Sequence, residues 1–195
     1  MKTILKSLYF ILAMMFIIQN VAHAHSIGGN GLGSGLTHPL LGLDHLLAML
    51  AVGIISAQIG GRAVWKVPAT FVLFMIFGAV LAFSGIRMPA VETAISLSVL
   101  FFGVLITLSK KIPVGFALLS VAVFALFHGH AHSEEFPFIG NPVLYGIGFV
   151  LSTITLHVTG VLIGYFAIQK NLTRGLLQYA GVVISVIGLI FLIRL

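Results

Sequence analysis

Six apolar stretches dominate this chain, at roughly 38–58, 67–84, 91–109, 113–133, 142–168 and 175–194. Each is close to the ~20 residues that a helix needs to cross the hydrocarbon core of a bilayer. Hydrocarbon offers no water to an exposed backbone, so such a segment must close its hydrogen bonds on itself as a helix. Hydrophobic residues make up 59% of the 195 positions and charged residues only 7%, which is the balance of a membrane domain rather than a soluble one. The expected fold is all-α: a polytopic membrane protein, built as a bundle of six transmembrane helices in one domain.

The N-terminus reads as a signal peptide. Lys2 and Lys6 give a basic start, residues 8–18 form an apolar run too short to span, and Ala22-His23-Ala24 fits the small-x-small cleavage pattern. The expected division is a cleaved signal at 1–24 and a transmembrane domain at 25–195, with His25 as the new N-terminus. A retained anchor helix is the alternative. Residues 28–35 are glycine-rich and read as a flexible tether.

Loop charges set the orientation. The loops after the first, third and fifth stretches carry Arg62 with Lys66, Lys110 with Lys111, and Lys170 with Arg174, and none holds an acid. The opposite side carries Arg87, Glu92, Glu134, Glu135 and Arg194. Basic loops stay cytoplasmic. The mature N-terminus is then periplasmic, in agreement with a cleaved signal, and the membrane is the bacterial inner membrane. The formal charge of +6 is therefore a topology signal, since no basic run or aromatic-interleaved patch offers a surface to nucleic acid. The absence of cysteine excludes disulfides, thiolate metal sites and cysteine nucleophiles. Gly160 with Gly164, and Gly181 with Ser185, have the small-xxx-small spacing of close helix contacts.

Eight histidines stand against this apolar background. Ionisable groups in hydrocarbon are costly, and those that occur there usually have a task. In the first stretch, Pro39 suits a first helical turn, and His45 returns to nearly the same face as His38, ~10 Å further along the axis. The two read as descending rungs, with Asp44 beside the lower one and Met49 on the same stripe as packing. A buried carboxylate next to an imidazole needs a partner, a proton or a cation.

The fourth stretch ends in Phe127-His128-Gly129-His130-Ala131-His132-Ser133-Glu134-Glu135. If the helix continues, His128, His132 and Glu135 fall on one face, and His-x-x-x-His is a spacing that brings two imidazoles to one metal. Glu135 would complete the shell or orient a ring. His130 and Glu134 share another face, either solvated or as a capture site at the mouth. His157 lies deep in the fifth stretch, ~22 Å from its outer end, on a stripe with Thr153, Gly160 and Gly164. It reads as an inner relay site or as a core histidine bonded to a hydroxyl. His25, with its newly freed α-amine, offers a chelate. Imidazole and carboxylate without thiolate suit a divalent first-row metal, Ni(II), Co(II) or Zn(II), and affinity alone does not choose among them.

These boxes resemble those of the HupE/UreJ family of nickel and cobalt permeases, over essentially the whole mature chain. The specific part is His38-Pro39 to Asp44-His45 followed by Leu-Leu-Ala-Met-Leu-Ala-Val-Gly. The second box is similar to FHGxAHGxE, with Ser133 where that pattern has glycine. The first is also similar in style to the HX4DH signature of the broader nickel/cobalt transporter group, with one more intervening residue. The resemblance implies uptake of Ni(II) or Co(II) as cargo rather than as a permanently bound cofactor, in service of hydrogenase, urease or cobalamin synthesis. Its functional set falls on His38, Asp44, His45, His128, His132 and Glu135, and less specifically on His157.

The expected mechanism runs inward. His25, His38, His130 and Glu134 collect the ion, Asp44, His45, His128 and His132 hold it with Glu135 at the rim, and His157 receives it. No P-loop is present, so the transport would be secondary. Two other readings stay open. One is an intramembrane metalloenzyme, a hydrolase or oxidase activating water or oxygen with the same ligands. The other is a metal sensor.

Overall fold

The computed structural model describes residues 31–108, 112–134, 141–169 and 174–195. Among them the regular elements are all α-helices: α1 Gly31–Leu41, α2 Leu43–Ile59, α3 Ala63–Phe83, α4 Val91–Leu108, α5 Val114–Glu134, α6 Pro142–Gln169 and α7 Arg174–Ile193. Five of them, α3 to α7, are long and apolar enough to cross a membrane, and α1 with α2 supplies a sixth if that bent pair is counted as one span. The signal peptide and its cleavage site, and the lysine loops at 110–111 and 170–173, lie outside the described residues.

The first stretch differs from expectation in a way that shapes the site. It is two helices bent by 80° at Gly42, rather than one helix from His38. Helix begins at Gly31, so part of the glycine-rich tether is helical, and Pro39 sits in the last turns of α1 instead of opening a helix. Two features concentrate the break. Pro39 has no N–H to give to the turn before it. Gly42 then adopts an extended conformation, φ −81° and ψ 109°, as the N-cap of α2. Asp44 falls in the first turn of α2, where a carboxylate complements the helix dipole. His38 and His45 therefore belong to different helices, and the two-rung arrangement does not form.

Glycines set which helices touch. A Cβ on Gly35 would run into the backbone of Tyr145, and one on Gly148 into that of Leu32, so α1 lies directly on α6. Further along, Gly53 and Gly160 face each other's backbones, and Gly164 meets Ile54 and Ala57, which ties α2 to the same helix. The Gly160/Gly164 motif thus packs α6 on α2. In the same way Gly78 and Gly129 bring α3 against α5, while Gly103, Gly181 and Gly188 bring α4 against α7. Lipid gives helices no hydrophobic reason to associate, so backbone approach of this kind supplies the packing.

The start of α6 is fixed by its own sequence. Asn141 Oδ1 accepts from the N–H groups of Val143 at 2.9 Å and Leu144 at 3.3 Å, which caps two of the orphan donors of a helix start. Pro142 occupies the first helical position, where its missing N–H costs nothing. Thr153, His157, Gly160 and Gly164 are all buried along this helix. Near the middle of the bundle α2 is buried on most sides through Ala48, Met49, Ala51, Val52 and Ile55, against Phe71, Val99 and Phe102. Leu73, Phe83, Leu119 and Val143 point outward and are exposed, as lipid-facing side chains should be.

One glycine tests this account directly. A Cβ at Gly129 would collide with the Met75 carbonyl, which is backbone and cannot swing aside, whereas Gly115 in the same helix has open space around it. Gly129→Ala is expected to destabilise the protein by ~1–3 kcal/mol, the usual range for overpacking. Gly115→Ala should leave it near wild type. Thermal unfolding in detergent measures both.

Candidate metal site

The helix break and the end of α5 face each other, and their histidines converge. His45, from the first turn of α2, meets His128 and His132, one helical turn apart on α5, with one ligand nitrogen of each within 4.8 Å of the others. The ring centroids of His45 lie 4.9 Å from His128 and 4.2 Å from His132. All three side chains are buried. His38, from the end of α1, reaches the same cluster from the other side of the break, 5.0 Å from His132. His132 also packs on Phe149 of α6, at 4.0 Å between centroids. Because the 80° bend turns α1 away from the axis of α2, His38 and His45 can both approach one imidazole.

Hydrogen bonds decide which nitrogens remain to bind a cation. Asp44 Oδ1 accepts from the His45 backbone N–H at 2.8 Å and from its ring Nδ1 at 2.7 Å. A carboxylate accepts only, so Nδ1 carries a hydrogen, and in the neutral ring the lone pair is on Nε2. This carboxylate–imidazole arrangement commonly orients histidine metal ligands and raises their basicity. His157 follows the same rule. Its Nδ1–H donates to the Met49 carbonyl at 2.8 Å, and its buried Nε2 has no hydrogen-bond partner among the described residues. The expected alternative of a hydroxyl partner is replaced by backbone.

His157 stands apart from the cluster. Phe71 of α3 touches both sides, with centroids 5.4 Å from His128 and 5.0 Å from His157. Phe71 is fully buried. A contact that the sequence reading did not include comes from α4: Ser98 Oγ lies 3.0 Å from His128 Nε2. A lone serine in an apolar helix carries no spacing signal, and only the packing of α4 beside α5 brings it to the imidazole.

The remaining candidates are placed as follows. His130 is buried, with 1% of its surface exposed, so the solvated alternative does not describe it. Its Nε2 lies 2.9 Å from the Ile86 carbonyl and 3.2 Å from the Met88 N–H, so it fastens the turn after α3. The helix turns it away from His128 and His132, as two-residue spacing dictates. Ser133, which stands where the family pattern has glycine, is accommodated within the helix. Its hydroxyl lies within hydrogen-bonding distance of the Gly129 and Ala79 carbonyls. The backbone of Glu134 closes α5, while its side chain, Glu135 and His25 lie outside the described residues. A cleft of about 610 Å³ between α3, α5 and α6 touches His132, but its other walls include Met75, Phe83, Phe149 and Leu151. Apolar walls suit hydrocarbon better than a hydrated cation.

Residues 11–191 match the HupE / UreJ protein family. Among curated proteins, Protein HupE of Rhizobium leguminosarum bv. viciae is 46% identical over 145 residues, which cover 74% of this chain and 76% of that protein. No solved structure matches.

The two faces of α5 give a sharp contrast. With purified protein titrated with Co(II), His132→Ala should weaken binding by more than about tenfold, the least expected when a metal shell is disturbed. His130→Ala should bind Co(II) close to wild type and instead lower the melting temperature, because it loses its contacts to 86–88.

Proposed function

The chain belongs to the HupE/UreJ family, and on that premise we propose that it is a secondary transporter that carries Ni(II) or Co(II) inward across the bacterial inner membrane. The observation that carries this reading is the cluster of His45, His128 and His132, buried within an apolar helical bundle beside Asp44. An imidazole-rich site with a carboxylate and no thiolate suits nickel, cobalt or zinc. Its setting at a broken helix favours transport, because discontinuous helices are a recurrent way of building ion sites inside transporters.

In this scheme the route begins on the periplasmic side, the orientation that acid-free basic loops on the other face support. His38 is half-buried and borders His132, so it passes the ion from the mouth to the cluster. His25, Glu134 and Glu135 are the further capture groups of this scheme, while His130 serves the fold. At the cluster, His45 Nε2, His128 and His132 replace water around the cation, and Asp44 holds the His45 ring in place. Phe71 separates this position from His157, which takes the ion next through its free Nε2. Movement of the Phe71 ring is the step that connects them.

An intramembrane metalloenzyme remains the rival. A hydrolase would need a general base poised over the metal-bound water. Among the described residues the carboxylate at the cluster is Asp44, and its Oδ1 is engaged twice by His45. That commitment favours orientation of a ligand over proton transfer.

Metal-dependent accumulation in cells or proteoliposomes tests the proposal. Wild-type protein should accumulate Ni(II) or Co(II), and Asp44→Ala should lower uptake about 10- to 100-fold, as expected when the partner of a ligating histidine is removed. His45→Ala should abolish it. Accumulation indifferent to both substitutions would overturn the transport reading, and turnover of lipid or peptide by purified protein would support the enzyme.

A further inference from the structure

Which nitrogen an imidazole offers to a metal is decided by what its other nitrogen touches. For His128 that contact is with α4. Ser98 is fully buried, and its hydroxyl oxygen lies 2.6 Å from the Ile95 carbonyl and 3.0 Å from His128 Nε2. A hydroxyl has one hydrogen, and a carbonyl only accepts, so the Ser98 hydrogen goes to Ile95. Ser98 then turns lone pairs towards His128. The hydrogen of that ring must therefore sit on Nε2, donating to Ser98, since the other tautomer would set lone pair against lone pair inside a dry bundle. The nitrogen left with a lone pair is Nδ1, which is buried and has no hydrogen-bond partner among the described residues.

We propose that Ser98 is a positioning residue of the metal site: by accepting a hydrogen bond from His128 Nε2 it makes Nδ1 the ligating atom. His45 and His128 then hold the cation through unlike nitrogens, Nε2 from α2 and Nδ1 from α5. Nδ1 is the nitrogen nearer the backbone, so the cation sits closer to α5, and the longer reach of His45 spans the gap from the helix break. A helix that donates no ligand thereby sets the geometry of the site. The inference rests on the metal-site reading above.

Full-length protein in detergent, titrated with Co(II) alone and followed by its visible bands, provides the test. Ser98→Ala should weaken Co(II) binding about 10- to 100-fold, the usual effect of removing a partner of a metal-bound histidine, and should shift the bands. Ser98→Thr should restore both, because a helical threonine hydroxyl also bonds back to a carbonyl of the preceding turn and keeps its acceptor. In metal-free protein with ¹⁵N-labelled histidine, His128 should carry its hydrogen on Nε2 in the wild type and become a mixture of tautomers in Ser98→Ala. Co(II) binding that is lost in His45→Ala yet unchanged in Ser98→Ala would overturn the role of Ser98 while leaving the metal site standing. A wild-type His128 with its hydrogen on Nδ1 would overturn it as well, whether or not the alanine variant folds. Wild-type protein that takes up no Co(II) would instead overturn the metal-site reading, and the ligation scheme with it.

Discussion

A polar atom inside an apolar bundle has to find its partner in the protein, and that requirement organises the rings of His45, His128, His130 and His157. Water is not at hand to satisfy a misplaced N–H or lone pair, and an unmet group costs a few kcal/mol. Asp44 takes the ring hydrogen of His45, the Met49 carbonyl takes that of His157, and the turn at 86–88 takes up His130. Each such bond removes one nitrogen from play. In His157 this leaves one buried atom, Nε2, with no hydrogen-bond partner among the described residues. The same physics that makes histidine expensive in hydrocarbon thus selects its tautomer and aims it.

This arrangement depends on helices that approach within backbone distance. The break at Gly42 brings the end of α1 and the start of α2 to the same place, and α6 holds both pieces through Gly148 on one side and Gly160 on the other. Without that shared support, an 80° bend in a membrane span would leave unsatisfied backbone groups with nothing to cover them. On the opposite side, Gly129 lets α5 lie on Met75 of α3, and it sits between His128 and His130. A glycine in the middle of the histidine box therefore serves as a spacer, and the flanking imidazoles turn to either side of the contact.

The helical class and the outlines of α4, α5, α6 and α7 were legible in the sequence because a spanning helix has a length and a composition that little else shares. The pairing of His128 with His132 was legible for a related reason: the helix runs through 134, so a four-residue spacing translates directly into one face. The first stretch resisted the same treatment. Pro39 was compatible with a helix start, and Gly42 with a helix interior, so a continuous apolar pattern concealed a bend that only tertiary support makes affordable. Polarity near a helix end suggests exposure for His130, whereas the turn after α3 folds back over it. Ser98 was out of reach altogether, since its meaning lies thirty residues away in sequence and on another helix.

The charge balance of the cluster bears on why such a site would pass an ion on. Imidazoles bind a metal in their neutral form and then contribute no charge, and among the described residues the carboxylate beside the three is Asp44, already hydrogen-bonded to His45. A divalent cation at this position keeps a net positive charge in surroundings of low dielectric. Structural zinc sites differ, for they commonly use thiolates that neutralise the metal and close its shell. Conduction needs binding strong enough to strip water and weak enough to release. The cluster supplies the nitrogen donors that favour dehydration while leaving part of the charge uncompensated, and the next lone pair available to that charge, across the Phe71 ring, is His157 Nε2. On the proposed transport reading, a site built this way would be poised between holding and yielding its ion, with His157 Nε2 as the next position offered to it.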